Sequence, residues 1–432
     1  MLKLTVPARW QGAPWLLCAF RPFFLATLAS AALLMGVWLG YLRGLWPLPT
    51  VPGGPLVWHA HELLFGFGLA AVAGFVLTAV PEFTRTAPVS RPLFFWLLVL
   101  WLLARASFWL SGLLGPWPAA TCNVGLALAL PLLLARRLFA EPSRRQWAFA
   151  AGLLSFALTA IGFYSDLLQG LPPMRWLHAG IGAMLALVLI ALSRISMRIV
   201  NDALEARQAG DPQDEPVIYR ALPPRRNLAI LCIALYTLAE FLLPGARVGG
   251  WLALACAAAL LNILNDWHVG RALFTRWALS LYLIYWLMAL GYAALGASLL
   301  WQALPMSAGR HLLTIGGMGL SVFAVLNIAG RTHSGEELDP RAWVPTSAAL
   351  LVAGALLRLA AGLPGWPYGT LIVASGLAWL IAFGLTGYHL GAVFIRPRRD
   401  GGLGCEEPLD AHGEEGTAPR CGLGLPHLAG RT

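Results

Sequence analysis

Apolar runs long enough to cross a bilayer, broken by short charged or Pro/Gly-rich segments, set the pattern of the whole chain. A membrane helix needs about 20 mainly apolar residues. Cutting at the breaks predicts about twelve such helices, over 16–43, 59–80, 91–113, 117–138, 146–169, 176–199, 227–243, 248–265, 275–300, 309–329, 343–362 and 368–394. The seventh and eighth are short, and the breaks at 114–118 and 244–247 are thin. The longest polar interruption, 201–226, reads as a cytoplasmic linker between two six-helix halves. After Arg398 the chain is Gly/Pro-rich and acidic with no apolar period, which predicts a disordered cytoplasmic tail over 397–432 behind one transmembrane domain over 1–396.

Composition supports this class. Of 432 residues, 58% are hydrophobic and 12% charged, with a mean hydropathy of +0.69. An all-α integral membrane protein is expected, not a soluble globule. The net charge of +10 would suggest a nucleic-acid partner in a soluble protein. Placing the N-terminus inside, however, leaves only Arg43, Arg175, Arg247 and Arg310 outside, against twenty Lys and Arg inside. That asymmetry sets orientation, with both termini cytoplasmic, and removes the case for nucleic acid. The apolar run after Pro14 continues for a full span without a small-residue cleavage site, so no removable signal peptide is expected. Cys18, Cys122, Cys232 and Cys256 fall in apolar segments and read as small hydrophobes. No CxxC pair exists, and the wide, irregular spacing of Cys405, His412, Cys421 and His427 argues against a metal site in the tail.

Candidate chemistry concentrates where the helices begin. The second opens WHAHELLFGF, with His59, His61 and Glu62 ahead of a charge-free stretch from Leu63 to Val80. His178 opens the sixth and His311 the tenth, which puts four imidazoles at one periplasmic depth. His268 and His333 fall on the cytoplasmic side, and His389 lies in the last turns of the twelfth helix. Small residues follow each periplasmic site: GFG after His61, AGIGAM after His178, LLTIGGMG after His311. The recurrence predicts three four-helix repeats closed into a pseudo-threefold ring, resembling the plan of haem-copper oxidases. Haem iron takes imidazole axially and copper or zinc takes it equatorially, so this cluster suits either. Residues i and i+2 on a helix point about 200° apart, so His59 and His61 do not share one metal. His61, the deeper, is preferred as ligand, with His59 left for a second metal, a propionate or the interface. Arg175 and Arg310 sit at the same depth and suit haem propionates. Arg105 and Arg358, inside spans, each need a partner, for which Asp166 and Glu240 are candidates.

FRPFF (Phe20–Phe24), WHAHELLFGF (Trp58–Phe67) and AGFVLTAVPEFT (Ala73–Thr84) together resemble the NnrS family of bacterial membrane proteins, and HLLTIGGMG (His311–Gly319) and THSG (Thr332–Gly335) follow it more loosely. The resemblance implies an inner-membrane protein of twelve helices carrying haem b and copper, associated with nitric oxide and nitrosative stress. The chain departs from the family at Pro81-Glu82-Phe83, at LSRISMR (Leu192–Arg198) and at Glu336. Two other readings stand beside it: a transporter whose periplasmic histidines and carboxylates form an entry site, and a structural membrane protein without cofactor.

Overall fold

The computed structural model describes residues 5–140, 146–208 and 218–405, and among these there is no strand. Twelve long helices follow the apolar pattern: α1 (Phe20–Leu42), α2 (Gly54–Phe83), α3 (Arg91–Trp109), α4 (Pro116–Ala140), α5 (Trp147–Leu168), α6 (Met174–Gln208), α7 (Pro223–Leu242), α8 (Arg247–Ile263), α9 (Arg276–Trp301), α10 (Met306–Thr332), α11 (Trp343–Ala360) and α12 (Tyr368–Ile395). Eleven are long and apolar enough to cross a membrane. The exception is α7, one of the two helices that looked short in the sequence, and Arg225 and Arg226 open it. Both thin breaks hold, because Gly115 (φ 72°) and Gly245 (φ 78°) take left-handed backbone that ends a helix at little cost.

Helix order becomes a ring. Within it α3 packs on α4, α7 on α8 and α11 on α12, while α4 meets α5, α8 meets α9, and α12 returns to α1. That is the contact pattern of three four-helix units closed head to tail. Inside the ring α6 touches both α2 and α10. The most enclosed spans are α2 and α10, with 83% and 78% of their apolar windows buried, against 39–44% for α3, α4, α8, α11 and α12. The histidine helices are therefore the centre of the bundle.

Both central helices share a local irregularity. Glu62–Gly68 in α2 and Leu312–Gly319 in α10 are π-helical, each starting directly after a histidine. Single wide turns of this kind interrupt α-helices mostly at functional sites. The glycines make the approach of neighbours possible. A Cβ at Gly319 would lie 2.5 Å from the Trp379 ring, and one at Gly68 would lie 2.9 Å from the Met184 methyl. Trp101 Nε1 donates to the Gly66 carbonyl at 3.1 Å, so a side chain satisfies an acceptor inside the irregular turn.

Two predicted boundaries shift. Residues 201–208 of the expected linker continue α6 as helix. Asn201 then pins the returning chain, accepting from the Tyr219 amide at 2.9 Å and donating to its carbonyl. Residues 397–405 of the expected tail fold against the helix ends, with Arg398 buried, and a disulfide joins Cys405 to Cys18. Cys18 is therefore not the free buried thiol that its apolar segment suggested. His412, Cys421 and His427 lie outside the described residues. A reporter fused after residue 208 should read cytoplasmic and one near residue 50 periplasmic; the opposite readings would invert the bundle.

The turn between α10 and α11 is tied by Asp339. It accepts from the Arg341 Nε and backbone amide, both at 2.9 Å, and from Trp343 Nε1 at 3.1 Å, with Arg331 at 3.5 Å. The Arg341 guanidinium holds this carboxyl well below the usual carboxylate range. A depressed folded-state pKa adds stability above the unfolded value of about 3.9 and loses it as pH falls toward the folded one. Asp339→Asn should therefore cost roughly 1–3 kcal/mol at neutral pH. Thermal denaturation in detergent at pH 7 and at pH 3 checks this: the gap between the variant and the parent should narrow at the lower pH.

Candidate functional site

The four histidines expected at one membrane depth do not form one cluster. The structure sorts them into three environments, each with its own neighbours.

His61 is fully buried and both of its ring nitrogens are engaged. Nδ1 lies 3.1 Å from Glu62 Oε1 and Nε2 lies 2.8 Å from the Tyr164 hydroxyl. An ionised carboxylate only accepts, so Nδ1 carries the proton and Nε2 accepts from the hydroxyl of Tyr164. Phe108 stacks on the ring at 3.6 Å, with Phe163 and Phe65 at its sides. Glu62 also accepts from Arg105 at 2.5 Å and from Trp109 Nε1 at 2.8 Å, and Arg105 donates on to Asn123. The intramembrane Arg105 thus finds its counter-charge on α2, not at Asp166 or Glu240.

His178, at the start of α6, stands 3.9 Å from Glu240 of α7, which is paired with Arg310 of α10. Together with Arg175, Thr237 and Phe241 these residues line a cleft of about 740 Å³, counted with its open mouth. Arg175 is held in bidentate fashion by Asp166 at 2.9 and 3.1 Å, and Trp176 Nε1 donates to the same carboxylate. The two arginines expected to meet propionates are therefore each matched to a carboxylate of this chain.

His59 and His311 are brought together. Their rings are near-parallel, 18° apart, with centroids 6.4 Å apart. Trp38 of α1 backs His59 at 4.2 Å. Each ring is set deep among the helices yet keeps part of its surface accessible. His311 Nδ1 donates to the Ser307 carbonyl at 2.7 Å. That bond fixes the tautomer and leaves Nε2 with its lone pair, the arrangement usual for a metal-ligating imidazole. Among the described residues neither nitrogen of His59 has a hydrogen-bond partner. The buried Arg358 of α11 is within electrostatic reach of both rings and leans on the Tyr368 ring.

The pair facing each other is thus His59 with His311, whereas the sequence favoured His61. The 200° divergence along the helix is borne out, since His59 turns toward α1 and α10 and His61 toward α3 and α5. Tyr164, Asn123, Trp109 and Tyr368 were missed. Glu62 and Arg105 had a signal: opposite charges at similar depth on neighbouring spans must pair in a low-dielectric interior.

A chain in a cryo-EM structure of a heme-copper terminal oxidase dimer is similar in fold, with a TM-score of 0.64 over 88% of this chain and 85% of that one, at 11% identity. That likeness supports the ring of twelve helices and says nothing of residues. No curated protein matches the sequence. The model of the NnrS protein family matches residues 14–398, nearly the whole transmembrane region, and the chain belongs to the NnrS family.

Proposed function

We propose that this protein is a haem-binding membrane protein of the nitric oxide response, with His59 and His311 as the residues that hold the iron. The observation that carries this reading is the facing pair of imidazoles. The two rings are near-parallel with centroids 6.4 Å apart, and imidazole nitrogen is the usual protein donor to haem iron. The donor set also fits: both rings lie in an apolar membrane interior, one has a fixed tautomer, and Arg358 is placed to meet a propionate.

Copper is a weaker fit. Among the described residues no three of His, Cys, Asp and Glu converge as a metal would require, so copper enters this proposal only as a second metal. Haem would supply an iron that binds nitric oxide. The chain's own residues would bind it, orient it and hold it away from water; the family resemblance, not the geometry, points to nitric oxide.

Purified in detergent with haem supplied during expression, the protein should show a Soret band and about one iron per chain. Absence of both haem and copper after attempted reconstitution would overturn the proposal. The transporter reading rests on the cleft lined by Arg175, His178, Glu240 and Arg310. It would be favoured by metal or solute uptake into proteoliposomes from protein without haem.

A further inference from the structure

Far from the histidine pair, at the other end of the bundle, the two ends of the membrane region are joined. Cys18 immediately precedes α1 and is fully buried, with its sulfur 3.7 Å from the Thr78 hydroxyl. Cys405 lies ten residues past the end of α12 and keeps part of its surface accessible. Their Cα atoms are 5.1 Å apart, a normal separation for a disulfide. The segment carrying Cys405 is seated by more than the sulfur bond. The Cys405 carbonyl lies 3.2 Å from His333 Nδ1, Arg398 donates to the Gly404 carbonyl at 2.9 Å, and His333 Nε2 reaches Glu82 of α2 at 3.4 Å.

We propose that Cys18 and Cys405 are a reversible thiol–disulfide modification site, exchanged with low-molecular-weight thiols and disulfides, whose oxidised form clamps the start of the C-terminal tail over the ends of α1, α2 and α10. The arginine asymmetry puts this face in the cytoplasm. Disulfides there are rare and, where present, usually transient or redox-sensing.

Accessibility fixes the direction of attack. A small thiolate attacks at Cys405, the partly accessible residue of the pair, the protein S–S bond breaks, and Cys18, which is fully buried, leaves as thiolate. The Thr78 hydroxyl lies 3.7 Å from the Cys18 sulfur and donates to the Gly74 carbonyl. A second small thiolate then attacks the small-molecule sulfur of the mixed disulfide, Cys405 leaves as thiolate, and the small-molecule disulfide is released. Two electrons and two protons pass from two small thiols to the cysteine pair. An excess of small-molecule disulfide drives the same exchange backward.

The test uses full-length Cys421→Ser protein in inverted membrane vesicles. Five cysteines remain, of which Cys122, Cys232 and Cys256 are free. Maleimide labelling after denaturation should count three thiols following glutathione disulfide and five following reduced glutathione. Adding Cys18→Ser should give four after reduced glutathione and three after glutathione disulfide, with the lost thiol carrying one glutathione by mass. Trypsin should cut after Arg398 several-fold faster in the thiol-treated vesicles. Five labels under glutathione disulfide would show that no bond forms. Three labels persisting under reduced glutathione would show a bond that does not exchange. A thiol lost in the Cys18→Ser protein without a bound glutathione would show Cys405 pairing elsewhere, and equal cutting would remove the clamp. Any of these overturns the proposal.

Discussion

Replacing His311 by alanine should leave the protein folded and without haem, and replacing His59 should do the same, while His412→Ala in the tail should change nothing. Each of the first two substitutions removes half of the facing pair, and nothing near offers a replacement. His178 is directed to Glu240 and Arg310, and His61 is bonded at both nitrogens. The cost to folding should be small, because each ring is partly accessible and, among the described residues, their one hydrogen bond is from His311 to a backbone carbonyl of its own helix. Losing a metal–nitrogen bond should by contrast cost most of the affinity. The Soret absorbance per mole of protein, read beside a size-exclusion profile, separates the two effects. Adding free imidazole to His311→Gly should restore part of the band, since the small ligand can enter the space left by the side chain. Full haem in both His59→Ala and His311→Ala would refute the assignment.

What the sequence revealed about this site, and what it hid, follows from what each kind of signal encodes. Hydropathy reports span length, so eleven of the twelve helices stand out and only α7, with arginines inside its first turn, falls short. The charge rule sorts residues by membrane side and so places His59, His61, His178 and His311 at one depth. Depth is only one coordinate. The facing of each histidine depends on helix rotation, and the two π turns that follow His61 and His311 alter that rotation in a way that no 3.6-residue period carries. Spacing could say that His59 and His61 diverge. It could not say which one faces α10. Likewise Arg175 and Arg310 were visible as periplasmic cations, but that Asp166 and Glu240 take them, and leave Arg358 beside the histidine pair, depends on which helices are neighbours in the ring.

Glu62→Ala should be the most destabilising single change in the bundle, and it should act through folding, not through haem. Glu62 is completely buried and accepts from three donors, Arg105, Trp109 and His61. Polar contacts between membrane helices are usually worth only about 0.6 kcal/mol, because the separated helices find other partners. A charge in the interior is different: removing one member of a buried ion pair costs roughly 3–5 kcal/mol, since the other is left uncompensated. Here the uncompensated group would be Arg105, whose side chain is 11% exposed and whose Nε already lacks a partner. The loss is comparable to the whole stability of many proteins, about 5–15 kcal/mol, so the variant should show a large drop in melting temperature in detergent. Arg105→Ala should fall nearly as far. The double variant should be much less destabilised than the sum of the two, because the second change removes the charge that the first left stranded. Additive losses would mean that the pair is not coupled. Haem content measured below the melting transition should stay near the parent value in all three, because the rings of His59 and His311 meet Trp38 and each other, not the members of this network. Haem lost from variants that are still folded would return His61 to the role of ligand.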